Sequence, residues 1–233
     1  MHIFYTPDIH GKHYKLNKEE SQHCINVLRL KEGGKIILVD GKGGYHKANI
    51  KVADRKNCII ETTEIRYDWG KRSFRLHIAI APTKNISRFE WFLEKATEIG
   101  IDEITPLLCE RSERKTIRKE RLNKVIISAM KQSVKAYKPE LNEVTGFMEF
   151  ISKNHPTYRF IAHRDKDTRT SLKVLVKREQ DILILIGPEG DFSSEEVHLA
   201  CKNGFSAVLL GPGRLRTETA GIIACHTVNL LNQ

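Results

Sequence analysis

Apolar positions along the chain fall first into short uninterrupted runs. Two of these, Ile182 to Ile186 and Ala207 to Leu210, each open into a Gly-Pro turn followed by a helix start. A short apolar run bounded by turn residues predicts a buried strand of a parallel sheet. Ligands of open α/β sheets lie beyond the carboxyl ends of such strands, so both Gly-Pro loops are expected to face one crevice.

The residues after each loop carry helical spacing. Ser193 to Glu196 reads as a capping box, with Val197, Ala200 and Cys201 on one face of the helix that follows and Asn203-Gly204 ending it. Thr217-Glu218-Thr219 starts a last helix with Ala220, Ile223, Ala224 and Val228 turned inward. Upstream, Leu76 to Ile80 and Ile104 to Leu108 read as strands. Between them, Ser87 to Glu90 suggests a second capping box, and Phe89, Phe92, Leu93, Ala96 and Ile99 an inward helical face stopped by Gly100. This alternation predicts an α/β domain with a parallel sheet. Phe160 to His163 ends another strand.

The first 70 residues are patterned differently. Lys35 to Val39, Tyr45 to Val52 and Asn57 to Ile65 are strand-like runs separated by Gly- and Asp-rich turns, which predicts a small β-rich module over 1–70 and a larger domain over 71–233. Lys18 to Leu30 carries a helical face of Cys24, Val27 and Leu28, with Arg29 beside it. Gly41-Lys42-Gly43-Gly44 fits neither a P-loop nor a dinucleotide fingerprint and reads as a hairpin turn.

Composition narrows the function classes. No apolar stretch approaches a membrane span and the N-terminus lacks a signal-peptide core, so a soluble cytoplasmic protein is expected. Five dispersed cysteines and ten dispersed histidines suggest neither a disulfide framework nor a metal site, and the cysteines are expected to be reduced and mostly buried. A net charge of +10 points to a polyanionic partner. The charge concentrates in Arg111 to Lys138, with ten Lys and Arg against two Glu, around a stripe of Leu122, Val125, Ile126, Ala129, Met130 and Val134. Such a helix suits phosphate contacts.

IGPEGDFSSEE and LGPGRLRTETA resemble the two signature loops of the SPOUT RNA methyltransferases, specifically the ribosomal RNA small-subunit methyltransferase E family. HCINVLRLKEGGKI followed by VDGKGGYHKANI resembles that family's N-terminal PUA-like barrel, and KNISRFEWFLEKATEIGIDEITPLLCERS its central segment, so the match covers nearly the whole chain. The resemblance implies S-adenosylmethionine as cofactor, N3 of a uridine in 16S rRNA as target, a trefoil-knotted α/β domain and a homodimer. Topology rules alone predict an unknotted doubly wound sheet. It further implies cofactor contacts at Ala162, His163, Ile186, Gly187, Gly190, Leu210, Gly211, Leu215, Thr219 and Ala220. RNA contacts are expected at Arg29, Arg111, Arg114, Lys115, Lys131 and Gln132. Relatives usually carry glycine where Asp191 stands, an arginine and a β-branched residue where Gly213-Arg214 stands, and an acidic residue where Lys131 stands; the last departure weighs against acid-base chemistry there.

Methylating N3 of uridine requires removing its proton, by a general base or with a cation that stabilises the anion. Arg216 fits the second device and Glu218 is a candidate for the first, although an acidic residue in the first turn of a helix also suits the helix dipole. The competing classes are a non-catalytic RNA-binding assembly protein and a SPOUT enzyme acting on ribose 2′-oxygen. Intact LRTETA favours an enzyme.

Overall fold

The computed structural model describes residues 2–156, 158–164 and 170–233, which form two units. The first comprises the chain up to Lys71 together with Met130–Lys138. Its sheet contains β1 (Ile3–Tyr5), β2 (His13–Lys15), β3 (Lys35–Val39), β4 (Tyr45–Val52) and β5 (Ile59–Arg66) in the order β1-β3-β4-β5-β2. Only the β1–β3 pair is parallel. β3 is apolar without alternation because both of its faces are covered. Ile36 and Leu38 join Phe4, Leu16, Cys24, Cys58 and Ile60 in one cluster, while Ile37 and Val39 join Tyr45, Met130 and Ala136 in another. The β3–β4 connection is a hairpin turn with Gly41 and Gly43 at φ of 79° and 102°.

The helical face over residues 18–30 differs from its expected form. α1 (Lys18–Gln22) passes into a π-helical turn over His23–Val27, closed by the Leu28 N–H donating to the His23 carbonyl at 3.0 Å. One extra residue per turn rotates the face, so Val27 points to solvent at 66% exposure while Cys24 is fully buried. Leu28 packs beside Cys24 as expected, and Ile25 takes the place expected of Val27.

The second unit contains β6 (Leu76–Ile80), α2 (Ile86–Ile99), β7 (Glu103–Leu108), α3 (Lys119–Gln132), β8 (Glu140–Leu141), β9 (Thr145–Gly146), α4 (Phe147–Ile151), β10 (Tyr158–Ala162), α5 (Leu172–Leu175), β11 (Ile182–Ile186), α6 (Ser194–Lys202), β12 (Ser206–Val208) and α7 (Thr217–Leu231). α3 carries its last residues into the first unit. The strand order is β12-β10-β11-β6-β7-β8, with β9 also on β7, and every pair is parallel. β11 is buried along its length because its alternate side chains feed two cores. Ile182, Ile184 and Ile186 meet Phe89, Phe92 and Val228, and Leu183 and Leu185 meet Leu107, Phe150 and Phe192.

Several local expectations are corrected. α2 is capped by Asn85, whose side chain accepts from the Ser87 N–H at 3.1 Å, so the cap lies two residues before the Ser87–Glu90 box. Glu90 is drawn off to Arg121, 3.0 Å away. The stripe on α3 ends at Met130, because Val134 follows the helix in a left-handed turn with φ of 58°. α7 buries Gly221, Ala224, Cys225 and Val228 and leaves Ile223 outside the core. Cys201 is exposed at the end of α6, unlike the other four cysteines. β12 stops at Val208, two residues short of the apolar run. The capping box Ser193–Glu196 is present in both directions.

His77 on β6 gives a pH prediction. Its Nε2 lies 2.8 Å from the Thr105 hydroxyl and its ring meets Phe150 edge-on at 5.6 Å. Burial pushes its pKa down to about 3, with His155 and Arg75 adding to the effect, even though Glu103 lies 3.6 Å from Nδ1. The unfolded chain takes up this proton near pH 6.5 and the folded chain does not. Stability is therefore complete above that pH and falls as pH drops towards 3, by at most about 1.4 kcal/mol per unit. Urea midpoints across this window should fall less steeply in His77→Gln than in the wild type; parallel curves would contradict the assignment.

Candidate functional site

Three neighbouring strands end level. Ala162 at the end of β10 is in register with Ile186 of β11 and with Val208 of β12, so the loops after all three strands leave the sheet side by side. Beyond them lies a cavity of about 730 Å³. His163 and Arg164 enter it from the first loop, Gly187 to Glu189 and Asp191 from the second, and Leu209 to Gly211 and Gly213 to Arg216 from the third. Thr217 and Ala220 of α7 and Arg88 of α2 complete the wall.

Each loop is shaped by a few specific contacts. A Cβ on Gly187 would lie 3.1 Å from the Phe192 ring and backbone nitrogen, which favours glycine there. Asp191 stands in the left-handed region at φ of 61°, a conformation that short polar side chains tolerate by bonding locally. Its Oδ1 accepts from the Phe192 N–H at 2.8 Å, and its Oδ2 lies 3.1 Å from Nδ1 of His163, joining the first loop to the second. Glu189 accepts from the Lys84 N–H through its side chain at 2.9 Å, and its carbonyl accepts from Arg214 at 3.3 Å, joining the second loop to the third. Arg214, where the family pattern departs, is thus a tie between the two Gly-Pro loops.

The third loop leaves its backbone open. Among the described residues, Leu210 to Leu215 make no backbone–backbone hydrogen bonds, so their N–H and C=O groups are free for another partner. A Cβ on Gly211 or Gly213 would meet no protein atom within 4 Å, so the space beside them lies outside the protein's own packing. Leu215 and Ala220 add apolar wall, with Leu215 36% exposed. These features fit a cofactor with both a polar and an apolar part.

The predicted residues separate into groups. Ala162, His163, Ile186, Gly187, Leu210, Gly211, Leu215 and Ala220 line the cavity, as does Arg216. Gly190 and Thr219 do not line it; the Gly190 carbonyl accepts from Arg111 at 2.9 Å. Glu218 lies behind the wall, 7% exposed, with Oε1 3.9 Å from Nε of Arg88 and Oε2 without a hydrogen-bond partner among the described residues. Arg114 is spent on the Thr83 and Lys84 carbonyls at 3.0 and 2.8 Å, while Lys115 beside it is exposed. In the first unit, Lys131 pairs with Glu20 at 2.8 Å, Gln132 is exposed, and Arg29 is exposed with φ of 53°. Sequence reasoning missed Arg88. It sits inside an apparent capping box, and nothing in the helical period marks a residue for a cavity formed by other elements.

A parallel sheet whose level strand ends open on such a cavity, together with a match of residues 71–229 to the RNA methyltransferase domain family, defines the second unit as an RNA methyltransferase domain of SPOUT type. Residues 16–63 match the RNA methyltransferase PUA domain. The chain belongs to the ribosomal RNA small subunit methyltransferase E family. The member from Mesomycoplasma hyopneumoniae is 30% identical, with 95% of this chain and 96% of that protein covered. A probable rRNA-methyltransferase from Porphyromonas gingivalis superposes with a TM-score of 0.92 at 42% identity, covering 100% and 98% of the two chains. The Neisseria gonorrhoeae ribosomal RNA small subunit methyltransferase E, solved bound to S-adenosyl methionine, gives 0.88 at 26% identity over 100% and 98%. Among the described residues, no helix is long and apolar enough to cross a membrane.

Proposed function

We propose that the protein methylates N3 of a uridine in 16S rRNA, using S-adenosylmethionine, and that it does so in the cytoplasm as a homodimer with a trefoil-knotted catalytic domain. The observation that carries this reading is the third loop, whose free backbone groups and open glycines face a cavity with Arg216 at its edge. When bound, S-adenosylmethionine supplies an electrophilic methyl group. Backbone groups of Leu210, Gly211 and Leu215 would hold the cofactor, and Ala220, the Leu215 side chain, His163 and Gly187, which line the same cavity, would enclose it.

Arg216 does the chemical work available to the protein. It is the N-cap residue of α7, with φ of −72° and ψ of 156°, and is exposed at the cavity wall. Its guanidinium stabilises the uracil anion as the N3 proton passes to bulk solvent through the open cavity, and the positive end of α7 adds to that field; the anion's N3 lone pair then takes the methyl, releasing the demethylated cofactor. Glu218, buried outside the cavity, acts through Arg88, holding that second cation at the wall. The uridine must be unpaired or flipped, since N3 lies on the edge that base pairing buries.

Mass spectrometry of 16S rRNA lacking the modification, after treatment with the protein and S-adenosylmethionine, tests the reading. The expected product is 3-methyluridine. A methyl on a ribose 2′-oxygen would move the protein to another branch of the superfamily, and RNA binding with no methyl transferred would make it an assembly protein. Light scattering should give twice the chain mass of 26.8 kDa.

A further inference from the structure

Three loops of the first unit lock together around the end of β5 and leave aromatic rings in solvent. After Arg66 the chain turns through Tyr67, Asp68, Trp69 and Gly70. Trp69 stacks on the buried Tyr45, with ring centroids 4.6 Å apart at 27°, and its backbone N–H donates to the Gly43 carbonyl at 3.0 Å. The Gly43 N–H donates to the Ala136 carbonyl at 3.0 Å, and the Tyr137 hydroxyl donates to the Asp68 carboxylate at 2.9 Å. Tyr137 lies so close over Gly43 that a Cβ there would sit 2.4 Å from its hydroxyl oxygen. The turn is therefore fixed by the β3–β4 hairpin on one side and by residues 136–137 on another.

Within this fixed frame Tyr67 is 77% exposed and Trp69 36%. The backbone that carries these rings is already ordered by the turn, so a contact made here does not have to order the loop as well. Cations surround them. Arg66 lies 5.5 Å from the centre of the Trp69 ring, Lys71 lies 3.3 Å from Asp68, and Lys42 is exposed at the hairpin tip. The Asp68 carboxylate among them stays ionised, held below its usual range by the Tyr137 hydroxyl and then by Lys71, and the Tyr137 hydrogen bond keeps it turned to residue 137. The Arg66–Glu64 and Lys71–Asp68 ion pairs are solvent-exposed, so either cation changes partner at little cost.

The geometry points to a nucleotide-stacking site on this turn, where an unpaired RNA base lies against Tyr67 and the open part of Trp69, with its flanking phosphates on Arg66, Lys71 and Lys42. The site rests on the RNA substrate proposed above and adds to it a second grip on single-stranded RNA, separate from the cavity. Every base offers a π-face, so stacking here is tolerant of sequence. An apolar protein partner fits less well, since Arg66, Asp68 and Lys71 interrupt the aromatic surface with charge.

The chain has two tryptophans, so Trp91→Phe leaves Trp69 as the sole indole fluorophore. Titrating this full-length variant with a mixed-sequence single-stranded oligoribonucleotide of about ten nucleotides should quench the emission. Tyr67→Ala should weaken RNA binding roughly tenfold or more, with the log–log salt slope unchanged because stacking neutralises no phosphate, and Tyr67→Phe should restore it. Calorimetry with S-adenosylmethionine alone keeps the two readings apart, since cofactor heat should be the same in every variant and its absence would count only against the methyltransferase. Unquenched Trp69 at saturating RNA, or wild-type affinity in Tyr67→Ala, would overturn the stacking site. A loss of dimer mass in Tyr67→Ala with RNA affinity intact would also overturn it, assigning the surface to a second copy of the chain.

Discussion

Arg216→Lys should lower turnover on unmodified 16S rRNA by about 10²-fold, the scale of losing one preorganised donor, while S-adenosylmethionine binds nearly as before. Lysine keeps the charge at the N-terminus of α7 but loses the planar fork that reaches two adjacent acceptors. Among the described residues no carboxylate pairs with Arg216: Glu189 is engaged by the Lys84 N–H and Glu218 lies beside Arg88. The loop groups assigned to the cofactor are backbone atoms, which the substitution leaves in place. Single-turnover rates together with calorimetry separate the two effects. An unchanged rate, or rate and cofactor affinity falling in parallel, would remove Arg216 from the transition state and make it a structural part of the loop.

Gly221→Val should cause the largest loss of stability of any exchange considered. A Cβ at this position on α7 would lie 2.6 Å from Cε2 of Phe92, 2.7 Å from Cδ2 and 2.9 Å from Cδ1 of Ile80. Phe92 and Ile80 are fully buried, so they have no empty space into which to retreat. Glycine within a helix ordinarily costs about 1 kcal/mol against alanine. Here that cost is outweighed by the close approach of α7 to α2. Overpacking of this kind costs roughly 3 kcal/mol or more, which lowers Tm by about 6–12 °C in a chain of this size. Thermal unfolding within a degree or two of the wild type would mean that the helix shifts freely. Gly221 follows cavity-lining Ala220, so such a shift would reach the site as well.

How much of this was legible in the sequence depended on whether the cause was local. The run from Ile182 to Ile186 reads as a doubly covered strand because each residue reports its own burial. The capping box at Ser193 is equally local, a bond between residues three apart. The π-turn at His23–Val27 is invisible because it alters the period on which the reading depends. Ser87 reads as a cap from its spacing to Glu90, but Glu90 meets Arg121 from α3 and Asn85, two residues earlier, caps the helix. The order of strands in the sheet, with β11 inserted between β10 and β6, is set by long-range packing that no single segment encodes. Arg88 and Asp191 share this limit. One reaches the cavity from a distant helix, and the other gains its role only because His163 lies 3.1 Å away.

The double burial of β3 also bears on the birth of the protein. Ile37, Val39 and Tyr45 are covered by Met130 and Ala136, which leave the ribosome only after the whole stretch from Arg72 to Ala129 has been made. At ordinary elongation rates that interval lasts roughly 3 to 12 seconds. Throughout it the nascent module holds an uncovered apolar face, a target for chaperones and for face-to-face association with neighbouring nascent chains. A gene fragment ending at residue 71 would encode that vulnerable state permanently, so this module is poorly suited to being moved by itself into another protein.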